Sequence, residues 1–345
     1  MTDAAAAAAV RAADMQSGLP GICFVGCGRI AESHAKNLRK LYGDIPLFFQ
    51  DNEIAKANEF KSQFRGEKAF PELSHVFDNE DVKIVFITTP HAFHAEIACE
   101  AARNKRDIII EKPIARNLAE IKKISSAVER NRVRCTVAEN YMFKSFVGKI
   151  TDSVKRGEIG QPLFLEVNKY NRDNITGWRS NRDLMGGGAL LEGGVHWINL
   201  LVSLADSEPV SVIAVKPEVK YETNIPFEDS ITLIVKFKNG VTGKLLHSWR
   251  IPNRFKGMGL SKFYGSEGVI TFESNGIFSS VYGKKKRTFF TDFTDFLGSR
   301  KMLKSFVDDY VTGKPWTPSL DRIIMEFRVV DAAYRSLKSG CFEKV

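Results

Sequence analysis

Gly21-Ile-Cys-Phe-Val-Gly-Cys-Gly-Arg-Ile-Ala31 runs from an apolar strand through a glycine-spaced turn into the start of a helix. Gly26 permits a sharp turn at the strand end, Gly28 lets the backbone approach a pyrophosphate with no side chain between, and Ala31 keeps the helix close to the sheet. The free N–H groups of the first helical turn, from Arg29 and Ile30 onward, would face the phosphates. Asp51 follows a second apolar run, Pro46-Leu-Phe-Phe-Gln50, at the distance expected of a carboxylate that grips a ribose hydroxyl. Glycine spacing alone is a weak signal, so the surrounding pattern has to decide.

From residue 20 to about 145, apolar runs alternate with helical patterns. Ile22–Val25, Leu47–Gln50, Ile84–Thr88, Ile108–Ile110 and Cys135–Ala138 read as strands, with Asn52–Phe64, His94–Asn104 and Leu118–Asn131 as helices between them. Strands as continuously apolar as Ile84-Val-Phe-Ile87 are buried on both faces, which calls for a parallel sheet with crossover helices. Residues 20–145 are therefore expected to be a doubly wound α/β dinucleotide-binding domain of the Rossmann type.

After Phe143 the pattern changes. A helix is expected around Val147–Arg156, followed by strands that meet at hairpin turns. Lys238-Asn-Gly240 separates Asp229–Phe237 from Val241–Trp249, and Gly265-Ser-Glu-Gly268 separates Ser261–Tyr264 from Val269–Glu273. With Leu163–Asn168 and Pro209–Val215 these predict an α+β domain, residues 146–345, built on an open, mainly antiparallel sheet of five or six strands. Asp321–Ser336 is a helix by its apolar spacing, and it is free to pack back on the first domain. One face of such a sheet is left to bury itself in a second copy, so a homodimer or homotetramer is expected.

Composition sets the limits. A chain of 345 residues, 43% hydrophobic and 26% charged, has room for two domains of roughly 100–200 residues each. The net charge of +9 comes from basic residues interleaved with acidic ones. The one dense run, Lys284-Lys-Lys-Arg287, reads as a solvated hairpin tip, so nucleic acid is not an expected partner. The cysteines (Cys23, Cys27, Cys99, Cys135 and Cys341) form no C-x-x-C pair and read as the reduced thiols of a cytoplasmic protein. His91 and His94 have no thiol or carboxylate at ligand spacing, and no metal is expected. Residues 1–19 read as a flexible leader with neither the basic start nor the leucine-rich centre of a secretory signal. No apolar run approaches the ~20 residues that span a bilayer, so no membrane association is expected.

Three motifs lie where a cofactor enzyme needs them. Thr89-Pro-His-Ala-Phe-His94 and Glu111-Lys-Pro113 each close a parallel strand, the end of an α/β sheet at which ligands bind. A lysine at the end of a buried strand is either a solvent-seeking side chain or a catalytic cation. The third motif, Gly186-Gly-Gly-Ala-Leu-Leu-Glu-Gly-Gly-Val-His-Trp-Ile-Asn199, lies in the second domain. If it is helical from Ala189, then Glu192, His196 and Asn199 share one face, and the carboxylate would orient the imidazole for acid–base work.

Taken in this order, the motifs resemble those of the Gfo/Idh/MocA family of NAD(P)-dependent oxidoreductases, over about residues 20–340. The resemblance rests on Gly26-x-Gly28-x-x-Ala31 with His34, on Thr89-Pro90 with His94, and on Glu111-Lys112-Pro113. It extends through the triple glycine with Glu192-x-Gly194-x-His196 to Ala332-Ala-Tyr-Arg-Ser336. It implies that Lys112 steadies the reacting oxygen and that His196 exchanges the hydroxyl proton. It further implies that Gly26, Gly28 and Ala31 hold the pyrophosphate, that Asp51 holds the ribose, and that Thr89, Pro90, His94 and Glu111 line the nicotinamide side. Glu192 and Asn199 stand where most and many members, respectively, carry aspartate.

Asp51-Asn52 favours NAD(H), since a carboxylate repels a 2′-phosphate and no arginine adjoins it; Lys56 keeps NADP(H) open. Asn140, Tyr141, Trp178, Arg179 and Asn199 are the candidate contacts for a sugar-like substrate. The resemblance implies hydride transfer to or from a sugar, cyclitol or sugar derivative. It also leaves two alternatives: a catalytically silent NAD(P)-binding regulator, and an enzyme acting on a non-sugar substrate of the biliverdin or dihydrodiol type.

Overall fold

The computed structural model describes residues 18–219, 225–253 and 258–345. The expected leader lies almost wholly outside them. Strands β1 (Gly21–Val25), β2 (Leu47–Gln50), β3 (Lys68–Phe70), β4 (Val82–Ile87), β5 (Asp107–Ile110) and β6 (Cys135–Val137) form a six-stranded sheet in the order β3-β2-β1-β4-β5-β6. Every pairing in it is parallel. The order reverses direction between β1 and β4, which opens a crevice at their carboxyl ends.

Helices α1 (Arg29–Leu41), α2 (Ile54–Gln63), α3 (Leu73–Phe77), α4 (His94–Arg103) and α5 (Leu118–Asn131) complete the crossovers. The helix α5 has the bounds read from the sequence, because Asn117 caps it by accepting from the Glu120 N–H at 3.0 Å. Beneath α1 the rings of Phe49, Phe24, Phe86 and His34 stack in series at 4.8–5.9 Å. Such contacts add about 0.5–1.5 kcal/mol each beyond the area they bury.

Helix α6 (Ser145–Lys155) leads into β7 (Pro162–Tyr170), the short α7 (Arg182–Met185), a π-helical turn over Leu190–Gly194, and α8 (Val195–Ala205). Strands β8 (Pro209–Val215), β9 (Ser230–Phe237), β10 (Thr242–Ser248), β11 (Leu260–Gly265), β12 (Gly268–Glu273), β13 (Phe278–Tyr282) and β14 (Lys286–Phe290) follow. Helices α9 (Ser299–Val311) and α10 (Leu320–Ser339) and the short β15 (Glu343–Lys344) end the chain. The second sheet has nine strands in the order β14-β13-β12-β11-β7-β10-β9-β8-β15, antiparallel except where β7 meets β10.

This sheet is larger than the five or six strands expected. The additional strands β13, β14 and β15 are short and half exposed, so they lack the apolar alternation that marks a strand in sequence. The basic run does lie at the β13–β14 turn, where Arg287 reaches back to Glu158. One face of the sheet, carrying Leu165, Val167, Leu233, Val235 and Leu245, shares a core with the apolar residues of α8. The stretch Arg182–Ala205 has the composition of a membrane span, but 72% of its most apolar 18-residue window is buried in the protein as this core segment. Helix α9 returns to the first half: Met302, Leu303, Phe306 and Val307 pack in one cluster with Ile22, Phe24 and Phe49. Helix α10 also meets α5 and β6.

Of the cysteines among the described residues, Cys23, Cys27 and Cys135 are buried, Cys99 is half-buried and Cys341 is exposed, none in a disulfide. Burial, with the Asp51 charge beside it, pushes the Cys27 thiol up to about 12, which leaves it inert as a nucleophile.

Candidate active site

The turn after β1 has the predicted shape. Gly26 sits at φ +96°, and a Cβ there would come within 3.1 Å of Thr88 and Thr89. A Cβ on Gly28 would meet nothing within 4 Å. Gly28 is the N-cap of α1 and offers no side-chain cap to the helix N–H groups, and Ala31 is fully buried against the sheet. Arg29 and Ile30 lie on the exposed first turn. Asp51 stands at the end of β2, its two oxygens accepting from the N–H groups of Cys27 (2.8 Å) and Glu53 (2.9 Å). It thereby ties the glycine turn to the neighbouring strand.

At the end of β4, the Thr88 hydroxyl donates to the carbonyls of Gly26 (2.7 Å) or Val25 (3.0 Å), and Pro90 begins the next turn. The Thr89 hydroxyl is buried with no hydrogen-bond partner. A buried hydroxyl left without a partner is costly, and it marks a place where a ligand completes the bonding. With the open space at Gly28, the uncapped helix start and the carboxylate of Asp51, the chain fits a bound dinucleotide. Gly28→Val is expected to fold normally, since the added carbons enter open space. It should weaken NADH binding by about 10- to 100-fold, the effect of 1–3 kcal/mol of overpacking. Fluorescence titration alongside a melting curve checks both halves.

Two of the residues expected to line the nicotinamide side act from behind it. His94 is fully buried, with Nδ1 2.9 Å from the Pro113 carbonyl and Nε2 2.9 Å from the Thr89 carbonyl, so it fixes two loops to each other. Glu111 is buried against His34, whose Nε2 is 2.5 Å from Oε1. Burial pushes this carboxyl up, but the hydrogen bond from His34 and the charges of His34 and Lys112 outweigh it and hold it below its usual value. The pair clamps α1 to the end of β5.

The reacting groups converge across the two halves of the chain. Lys112 follows β5, and its Nζ donates to the Glu192 carbonyl at 2.9 Å and lies 3.6 Å from Glu192 Oε1. Arg179 Nη2 is 3.1 Å from Glu192 Oε2. Burial pushes the Glu192 carboxyl up, yet Lys112 and Arg179, with His91 and His196, overcome it and bring it down to about 2. Glu192 is thus a carboxylate throughout the neutral range, a charge that places two cations and not a proton donor.

This corrects its expected role. The π-turn over Leu190–Gly194 is wider than an α-turn and breaks the one-turn spacing that would have set Glu192 against the imidazole. The partner of His196 is Glu139: His196 Nδ1 lies 2.8 Å from both of its oxygens. A carboxylate accepts, so Nδ1 carries the hydrogen and Nε2 is left with its lone pair, the form a general base needs. Glu139 also accepts from the Tyr141 N–H at 2.9 Å, and the Tyr141 ring packs on His196 at 4.8 Å. The sequence reading missed Glu139, although it follows β6 just as Glu111 follows β5. The strand-end rule that found Lys112 would have found it too.

The expected substrate contacts divide. Tyr141 and Arg179 join the cluster around His196 and Glu192. Trp178 lies edge-on to His91 at 4.8 Å. His91 is buried, and that burial, with His94 beside it, lowers it to about 3; its neutral ring donates from Nδ1 to the Met185 carbonyl at 3.0 Å. Asn140 donates to the Leu297 carbonyl at 2.6 Å and so tethers the segment before α9. Asn199 is fully buried and donates to Glu326, 3.0 and 3.1 Å from its two oxygens. It is a floor residue and does not line the cleft, because the turn that carries His196 toward the cleft points Asn199 into α10.

The comparisons with known proteins agree with this fold. Residues 21–139 match the model of an oxidoreductase family with an NAD-binding Rossmann fold, and residues 147–271 match the Gfo/Idh/MocA C-terminal domain. The chain is 25% identical to levoglucosan dehydrogenase of Pseudarthrobacter phenanthrenivorans over 90% of its own length and 86% of that protein's. It is 22% identical to myo-inositol 2-dehydrogenase of Thermotoga maritima over 92% and 96%. The match to the uncharacterised oxidoreductase YrbE of Bacillus subtilis, 26% identical, spans 63% of each chain. The solved structure of levoglucosan dehydrogenase with NADH superposes with a TM-score of 0.84 at 22% identity, over 94% of this chain and 99% of that one. The glycine turn, the strand-end lysine, the histidine on α8 and the two matched domains lead to one assignment: this chain belongs to the Gfo/Idh/MocA family of NAD-binding oxidoreductases.

Proposed function

We propose that the protein transfers a hydride between NAD and a carbinol or carbonyl carbon of a sugar, cyclitol or sugar derivative. The observation that carries this is the meeting of Lys112, from the first half of the chain, with Glu192 from the second, whose charge is felt in turn by His196. When bound, the nicotinamide supplies the hydride chemistry and the protein supplies orientation and charge. Lys112 Nζ donates to the reacting oxygen and stabilises negative charge as it develops there. His196 Nε2 takes the hydroxyl proton on oxidation and returns it on reduction, held in the right tautomer by Glu139. Glu192 keeps Lys112 and Arg179 at the cleft wall. Tyr141 packs on the imidazole, and Trp178 offers an aromatic surface suited to a sugar ring.

In this reading residues 20–145 hold the cofactor, and residues 146–345 hold the substrate and a partner subunit. Phe164, Leu260 and Val215 are all more than half exposed on the sheet face that α8 leaves uncovered. That apolar face supports association of two or four copies through it. NAD is favoured over NADP because Asp51 is joined there by Glu53, and Lys56 is held by Glu53 at 2.5 Å and so is not placed to receive a 2′-phosphate. A screen of myo-inositol, levoglucosan and common aldoses with NAD+, read as NADH absorbance, tests the proposal. Turnover on at least one polyol is expected. Saturable NADH binding with no turnover on any of them would favour the regulator instead.

A further inference from the structure

Behind the Lys112 and His196 pair lies a cavity of about 30 Å³, lined by Lys112, Glu139 and Glu326 among apolar residues that include Ile198, Ile323 and Phe327. It is large enough to admit a water, and three of its lining residues carry polar groups that could hold one. Glu139, the partner of the His196 imidazole, is on its wall. So is Glu326, on α10. Its side chain is only 11% exposed; it accepts from both Asn199 and Arg322, whose Nε is 2.9 Å away, and Arg322 in turn donates to Ser203.

We propose that Glu326 is a proton store for His196, reached through Glu139 and one water in this cavity. The inference rests on the hydride-transfer reading above. On oxidation the substrate O–H bond breaks as the Nε2–H bond of His196 forms, and the hydride leaves with its electron pair. The Nδ1–H proton then passes to Glu139, Glu139 gives a proton to the water as the water gives one to Glu326, and the ring is left neutral while substrate and cofactor still cover Nε2. When the cleft reopens, Nε2 loses its proton to solvent and Glu326 returns its own along the same path to Nδ1. Each proton is accounted for, and Glu326 ends the cycle as it began.

The titration of Glu326 fits this role. Burial raises its carboxyl most; Arg322 and the hydrogen bond from Asn199 lower it, and the Glu139 charge raises it again, to about 7. Lys112 is the remaining charged group on the cavity wall. A group balanced near neutrality takes up and gives back a proton at little cost.

Infrared pH-difference spectra of the cofactor-free protein test this without turnover. Wild type should show a protonated carboxyl that disappears near pH 7. The signal should be absent in Glu326→Gln, which keeps the side-chain length and the oxygen that accepts from Asn199 and Arg322. It should move to lower pH in Glu139→Gln, where a neighbouring negative charge is gone. With NAD+ and the best polyol of the screen, Glu326→Gln should lower kcat while leaving KM and the melting temperature unchanged, and Glu326→Asp should restore part of the loss. No titrating carboxyl near neutrality, a signal that survives in Glu326→Gln or ignores Glu139→Gln, or a Glu326→Gln enzyme with wild-type kcat would overturn the proposal. If no polyol is turned over, the hydride-transfer reading fails on its own, and the spectra still decide whether Glu326 titrates near neutrality under the charge of Glu139.

Discussion

Lys112→Ala should lose about 10²–10³-fold in kcat, the range seen when a donor to a developing oxyanion is removed. The loss should fall on kcat because the interaction strengthens as charge builds on the oxygen, while the substrate's ground state gains less from it. NADH affinity should stay within a few-fold of wild type, since the cradle at Gly26, Gly28 and Asp51 does not include this side chain. A structural consequence also follows. Glu192 loses one of the two cations that hold it near 2, so its carboxyl should rise toward its ordinary value. Lys112→Arg should not restore activity, because a planar guanidinium cannot take the place of a compact ammonium 2.9 Å from the Glu192 carbonyl. Comparable turnover in Lys112→Ala would remove the lysine from the mechanism. Steady-state kinetics with a parallel NADH titration separate these outcomes.

His196→Asn should lower kcat by about 10²–10⁴-fold, the contribution of a positioned general base. Removing the base should also flatten the pH dependence of oxidation, because the group that must be neutral to accept the hydroxyl proton is gone. Glu139→Gln should lower kcat by less, since the imidazole remains but its tautomer is no longer fixed by a carboxylate at 2.8 Å. Glu192 makes a useful contrast. Its carboxyl lies far below its ordinary value, so the interactions it makes are complete above that ordinary value and are lost only as pH falls toward about 2. Glu192→Gln should therefore remove no group that titrates between pH 5 and 9; it should weaken turnover through a misplaced Lys112 and move the neutral-range limb to lower pH, because a negative charge near His196 is gone. A Glu192→Gln enzyme in which the neutral-range limb disappears, with Glu139→Gln leaving it untouched, would return Glu192 to the role of the histidine's partner.

What could be read in advance follows the range of each interaction along the chain. The strand of Gly21–Val25, the turn at Gly26 and the crossover helix Leu118–Asn131 are set by residues within a few positions of one another, and their outlines were legible. So was Lys112, whose position at a strand end is a local fact. Glu139 escaped because its partnership with His196 spans 57 residues and joins two halves of the chain. Its place just past the end of β6 marks Glu139 as a candidate, but nothing near either residue announces the partnership. Glu192 was misplaced for a different reason. A regular helix was assumed where the chain makes a π-turn, and one wider turn changes which side chains share a face. The outer strands β14 and β15 were missed because they bury little, and β13 because one of its two inward residues is a serine, which hides the alternation its burial shows.

The central claim is that the glycine turn, Asp51 and the strand ends of the first sheet hold NAD beside Lys112 and His196. Its most direct test is a parallel fluorescence titration of NADH and NADPH onto protein stripped of bound cofactor, with Gly28→Val alongside. Saturable NADH binding, on the order of tenfold or more tighter than NADPH because Asp51 and Glu53 oppose a 2′-phosphate, and weakened in Gly28→Val, is the result expected. Folded wild-type protein that binds neither dinucleotide, or that binds NADH no less tightly with valine at position 28, would contradict it.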